Sequence, residues 1–197
     1  MRYLDELGRK AIHLGSSAIP ITYMFISRRT AVWILGALVL VAIVIETLRH
    51  FIPAVKAWFE RRMGNIFRDF ESRTLTGASY VVFGAFLAVL LFDKRIAITV
   101  LFFVSISDAL ASLIGIKFGG KLRFFGKSLA GSGAFLISAV IIAMLALPDD
   151  PPAALLGALV ATIVEALPLR IAGNKLDDNL TVSLSSGLVM TLMSAPG

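Results

Sequence analysis

Apolar runs of membrane-spanning length recur from one end of this chain to the other, each ended by charges, a proline or a glycine cluster. A backbone removed from water must satisfy its own N–H and C=O groups, so such runs can become only helices or a closed barrel. Runs approaching about 20 residues select the helix. Seven read as spans: about 11–26, 31–48, 75–92, 96–116, 129–147, 153–169 and 179–193. The predicted fold class is all-α: a polytopic membrane helical bundle of about seven transmembrane helices. With no internal repeat or low-complexity linker, a single domain over residues 1–197 is expected.

Composition agrees. The chain is 57% hydrophobic and only 16% charged, against about 25% charged in a soluble domain. It has no Cys, so disulfides and thiolate metal sites are excluded. On a seven-span reading, Arg28, Arg29, Lys94 and Arg95 fall on one side, and the other fifteen of the 19 Lys and Arg share the side of the N-terminus. Positive loops stay in the cytoplasm, so a cytoplasmic N-terminus is predicted. The net charge of +6 is read as facing lipid headgroups, and no nucleic-acid partner is assigned. Asp5 and Glu6 beside Arg9 and Lys10, with no small-residue cleavage pattern after them, predict no cleaved signal peptide. The basic loop 49–73 predicts a helix at headgroup depth, with Val55, Trp58, Phe59, Arg62 and Ile66 as its stripe and Lys56 and Arg61 at the edges.

The chemistry gathers in 105–133. Asp108 lies inside an apolar run, where an unpaired carboxylate costs at least about 2.5–3.5 kcal/mol and is functional by default. Helical spacing puts Ser105, Asp108, Ser112 and Gly115 on one face. Asp108 suits two roles, a ligand to a nucleotide's Mg2+ or the base that takes a proton from an alcohol. Gly126-Lys127-Ser128 invites a P-loop reading, but five residues separate Gly120 from Gly126 where that motif needs four, and no strand precedes. What survives is a positive collar of Lys117, Lys121, Arg123 and Lys127. Gly119, Gly120 and Gly126 let backbone approach an anion, and Ser128 is placed to cap a helix whose N-terminus faces it.

Other polar groups fall at the same predicted depth. Glu165, Asp177 and Asp178 supply hard oxygen ligands of the kind Mg2+–nucleotide chemistry uses; Asp177 taken alone reads as ordinary capping. Arg9 and His13 share a helix face at i and i+4. Glu46, inside its span, has Arg49 or Arg9 as its expected partner. The hydroxyls of 74–80 are suited to capping or to contacts with a nucleotide.

Several of these pieces resemble, in order, the CTP-dependent lipid-alcohol kinases: dolichol kinase, phytol kinase and the CTP-dependent diacylglycerol kinase, distant relatives of the phosphatidate cytidylyltransferases. The resemblance rests on Arg9-Lys10-Ala-Ile-His13, Leu75-Thr-Gly-Ala-Ser-Tyr80, Ser107-Asp-Ala-Leu-Ala-Ser-Leu-Ile-Gly115, Phe118-Gly119, Lys127-Ser-Leu-Ala-Gly-Ser132, and Glu165 followed by Asp178-Asn-Leu-Thr-Val182. Ser107, Ala130 and Ser183 depart from residues common in that family, and Ala130 replaces an acid.

The resemblance implies a kinase that transfers a phosphoryl group from CTP to a long-chain polyprenol or dolichol. Phytol, a shorter prenol or diacylglycerol is the alternative acceptor. It implies catalytic Asp108, Lys127 and Glu165, and Mg2+ held by Asp108, Glu165 and Asp178. Nucleotide contacts would come from Arg9, His13, Lys117, Gly119, Lys121, Gly126, Lys127, Ser128, Ser132 and Asn179. The expected partners are CTP, the lipid alcohol and the bilayer, with a homodimer as an admissible assembly and the active site on the cytoplasmic side. A proton- or ion-coupled transporter is the rival from another class. The one-sided clustering of polar groups and the lack of a repeat speak against it.

Overall fold

The computed structural model describes residues 8, 13–63, 75–120, 123–125, 127–168, 170–171 and 174–194. Along them run α1 (Ala18–Phe25), α2 (Arg28–Phe51), α3 (Pro53–Met63), α4 (Gly77–Leu91), α5 (Lys94–Phe102), α6 (Asp108–Phe118), α7 (Leu129–Ala146), α8 (Pro151–Ala166) and α9 (Asp178–Ser194). A π-helical turn, Phe103–Ser107, joins α5 to α6. Two short antiparallel ribbons precede α7 and α9. In the first, β1 (Arg123–Phe124) pairs with β2 (Lys127–Ser128); in the second, β3 (Arg170–Ile171) pairs with β4 (Asn174–Lys175).

The all-α expectation holds. Among the described residues, three segments are long and apolar enough to cross a membrane: α2, the continuous Lys94–Phe118 and α7. The shorter α4 and α8 are also apolar. The first predicted span is interrupted by a turn at Ser16–Ser17, after which α1 runs for eight residues, Ala18–Phe25, with Pro20 buried inside it. The fourth differs in detail. The π turn inserts a residue into the helical repeat, rotating α6 by about 100° relative to an unbroken α-helix. Ser105 and Asp108 therefore lose the ideal one-face alignment; Ser105 turns inward, 1% exposed, and donates to the Leu101 carbonyl at 2.9 Å.

Helix starts follow the local chemistry. The Ser27, Thr76, Ser128 and Asp150 side chains accept from the backbone N–H three residues on, and prolines occupy the first turn of α8. One end of the bundle is closed by three of the four positives that the charge count set apart. Arg28 donates to the Val89 and Leu90 carbonyls, Lys94 to those of Met24 and Ile26, and Arg95 to Asp149. Ser194 donates to Asp150 at that same end. These ties bring the α1–α2, α4–α5 and α7–α8 turns together, so successive helices alternate in direction.

Packing within the bundle relies on small residues. Ala85, Ala88, Ala97, Ala139, Ala143, Ala154, Ala158 and Ala161 are all fully buried. Apolar lipid tails give no hydrophobic drive between helices, so close approach of backbones takes its place. Lys94–Phe118 forms the centre of the bundle and α2 its periphery, with 61% and 17% of their most apolar windows buried. Gly187 lets α9 meet the Phe92 ring: a Cβ there would stand 2.2 Å from it, whereas a Cβ at Gly133 would touch nothing within 4 Å.

Overpacking of this kind costs about 1–3 kcal/mol. Gly187→Ala is thus expected to lower the thermal midpoint in detergent while Gly133→Ala leaves it in place. Equal midpoints for the two variants would refute this account of the α9 contact.

Candidate functional site

The end opposite those ties carries the polar groups. Lys127 leaves β2 just before Ser128 caps α7, which aims its ammonium across the bundle at the C-terminal turn of α8 and the first turn of α9. It pairs with the Glu165 carboxylate, and its Nζ lies 3.6 Å from Asp178 Oδ2. Glu165 is 3% exposed, and its Oε2 has no hydrogen-bond partner among the described residues. Asp108 opens α6 directly after the π turn and lies close enough to act electrostatically on both Lys127 and Glu165. His13 Nδ1 is 3.4 Å from Asp108 Oδ2. Residues 13, 108, 127, 165 and 178, far apart in sequence, therefore meet at one end.

The Lys127 ammonium is held above its ordinary range. Burial works against the charge, but Glu165 first and then Asp178 and Asp108 outweigh it. Asp108, Glu165 and Asp178 come together around that cation. No set of three or more His, Asp or Glu side chains among the described residues forms a group that could hold a metal ion by itself.

The remaining expected residues divide. Ser128 is present as a cap, accepting from Gly131 N–H at 3.1 Å. It is also a spacer, because a Cβ on Gly115, Gly119 or Gly131 would run into its side chain. Gly119, expected to bring backbone to an anion, serves the close approach of α6 to the start of α7. Ser132 Oγ is buried with no partner among the described residues. Lys117 is exposed, its Nζ 5.1 Å from the centre of the Phe118 ring. Asn179 is 6% exposed and donates through its side-chain amide to Asp177 Oδ1 at 2.5 Å. Arg9, Lys121 and Gly126 lie outside the described residues.

Two groups that the sequence marks as a local cap and a local ion pair hold more than that. Asp177 is buried and also accepts from Asn179 N–H at 3.0 Å, so it fixes the entry to α9. Its position just before an acidic first turn was the available signal. Glu46 does pair with Arg49, at 2.6 Å, and its other oxygen accepts from Thr76 N–H at 2.8 Å and Ser79 Oγ at 2.7 Å. That carboxylate pins α2 to the start of α4, a 30-residue link that no local spacing could reveal. Within Leu75–Tyr80 the expected capping is present, Thr76 Oγ1 accepting from Ser79 N–H at 3.3 Å.

An uncharacterized protein of Rickettsia prowazekii (strain Madrid E) is 33% identical to this chain over 143 residues, 71% of the chain and 70% of the relative. An uncharacterized protein of Methanocaldococcus jannaschii is 28% identical over 181 residues, 90% of the chain and 88% of the relative. CTP-dependent diacylglycerol kinase 1 of Saccharomyces cerevisiae is more distant, 26% identical over 214 residues, and the match covers 94% of the chain and 72% of that kinase. No family model and no solved structure matches the chain.

The ion pairs yield two expected outcomes. Removing one partner of a buried pair costs about 3–5 kcal/mol, so Glu46→Gln should destabilise the fold by roughly 3 kcal/mol in denaturant titration; a loss below about 1 kcal/mol would contradict the tether. For Lys127 the folded pKa lies above the unfolded one. Its contribution is therefore fully present below the unfolded value, near 10.5, and is lost as pH rises through the folded value. As pH rises from neutral, the stability gap between the parent and Lys127→Met should not narrow until above about pH 10.5. A gap that narrows between pH 6 and 9 would show that the ammonium is not the stabilised species.

Proposed function

The chain belongs to the family of the Rickettsia prowazekii protein, and from that premise and the cluster around Lys127 we propose that it is a membrane phosphotransferase that moves the γ-phosphoryl group of CTP to the hydroxyl of a lipid alcohol. The observation that carries the reading is the match over 94% of the chain to a protein named as a CTP-dependent diacylglycerol kinase. The five convergent residues supply chemistry suited to that reaction. Polyprenol or dolichol is the acceptor implied by the motifs. Diacylglycerol is a second acceptor, favoured by the name of that relative.

Phosphoryl transfer asks a protein mainly for positioning and for neutral surroundings for phosphate charge. Lys127 would turn from its carboxylates toward the triphosphate. The N-terminus of α7, capped by Ser128, adds N–H dipoles of the right sign. The lipid hydroxyl would attack the γ-phosphorus, the bond from that phosphorus to the β,γ-bridging oxygen would break, and CDP would leave. Asp108, with His13 beside it, would accept the hydroxyl proton.

The carboxylates fit a magnesium ion. Mg2+ is usually held by one or two carboxylates plus substrate phosphates and waters. The open Oε2 of Glu165, with Asp178 across the Lys127 ammonium, provides such a pair; Asp108 is the third candidate. When bound, the ion would neutralise phosphate charge. The membrane setting rests on the three long apolar helices, and the cytoplasmic placement of the site on the distribution of Lys and Arg.

Purified chain in lipid nanodiscs, given Mg2+, radiolabelled CTP and a panel of dolichol, polyprenol, phytol and diacylglycerol, is expected to label at least one lipid. Asp108→Asn should lower that rate by about 10²–10⁴-fold, the usual worth of a positioned acid or base. No labelled lipid from any acceptor, with the chain folded and monodisperse, sinks the proposal. Ion-coupled flux in liposomes without transfer would support a transporter in its place.

A further inference from the structure

α3 takes no part in the cluster described above, yet its composition and position are specific. α2 has 24 residues, about 36 Å at 1.5 Å per residue, against a hydrocarbon core of about 30 Å. It delivers its last turn, with Arg49 and His50, to a membrane surface. A single residue, Ile52, separates it from α3. Large apolar side chains stay uncovered at this junction: Phe51 is 75% exposed and Trp58 53%.

The faces of α3 differ from the stripe that the sequence suggested. Val55 and Phe59 are partly covered, whereas Trp58, Arg61 and Arg62 are exposed. Positions i, i+3 and i+4 share a helix face, so one indole and two arginines lie on it, with Arg61 Nε donating to the Ala57 carbonyl of the same helix at 3.2 Å. A tryptophan ring prefers the boundary between acyl chains and headgroups. Arginine reaches past that depth with its stem in apolar surroundings and its charge in the polar layer. Two guanidinium groups beside one indole complement the phosphate of an anionic lipid, and a neutral zwitterionic surface offers them no net attraction.

We infer that α3 is an interfacial helix whose Trp58–Arg61–Arg62 face selects anionic lipid headgroups from the membrane. The inference stands apart from the catalytic reading, since none of these residues belongs to the cluster. A basic side chain near an anionic surface is worth about fivefold in local association. Two of them are therefore expected to enrich anionic lipid around Trp58 several-fold over neutral lipid.

The test uses the full chain carrying Trp33→Phe, which leaves Trp58 as the single tryptophan of the original two. It is reconstituted in phosphatidylcholine nanodiscs containing a minor fraction of lipid with a nitroxide near the headgroup. The labelled lipid is either phosphatidylglycerol or phosphatidylcholine. The anionic label is expected to quench Trp58 at a several-fold lower fraction than the neutral one, with the difference shrinking at high salt. R61E/R62E should abolish the preference and R61K/R62K should keep it. Circular dichroism and monodispersity show that each variant is folded. Equal quenching by the two labels, no quenching by either, or a preference that survives R61E/R62E would each overturn the inference.

Discussion

A carboxylate in an apolar bundle must find a cation or lose its charge, and this requirement shapes the structure. Glu165 and Asp178 share the Lys127 ammonium. To place it there, the chain reverses through the β1–β2 ribbon, starts α7 on Ser128, and ends α8 level with the start of α9. Asp108 joins from the π turn and His13 from the N-terminal segment. Without the ammonium, the end of α8 would carry an uncompensated buried charge, a costlier outcome than an apolar replacement of both partners. The pair is therefore costly to break one partner at a time.

The glycines contribute in a less direct way. Gly115, Gly119 and Gly131 form the contact between α6 and α7, and Ser128 occupies the space that their side chains would have filled. A glycine-rich stretch beside lysines suggests a phosphate cradle on sequence alone. Here at least Gly119 acts through helix packing, which positions Lys127 and the α7 N-terminus. One run of residues can thus shape the polar end of the bundle through backbone packing.

Legibility in the sequence followed the range of the interactions. Helix starts at Ser27, Thr76, Ser128 and Asp150 depend on groups three residues apart, and the all-α class depends on apolar runs; both could be read. Asp108, Lys127, Glu165 and Asp178 could be singled out because charges near apolar runs need partners. Which cation meets which carboxylate could not, since Lys127 and Glu165 are 38 positions apart. The π turn was also hidden: its residues Phe-Val-Ser-Ile-Ser suit an α-helix equally well, and tertiary contacts decide. Asn179 shows the same limit, because its engagement with Asp177 depends on how α9 begins. The tie of Glu46 to Thr76 and Ser79 depends on two helices being side by side.

The two ends of the bundle are unlike in a way that has a mechanical meaning. At one, Arg28, Lys94, Arg95 and Ser194 bind turns to turns. At the other, side chains from five separate segments converge, and the ties run from side chain to side chain, with Glu46 holding α2 to the start of α4. Lys94 and Asp108 are 14 residues apart on one continuous helix, a lever arm of about 21 Å. Rotating such a helix by about 3° around its tied end moves Asp108 by about 1 Å, and a displacement of that size can change a reaction rate about a hundredfold. The basic side chains at the far end thus act as the clamp of a fan.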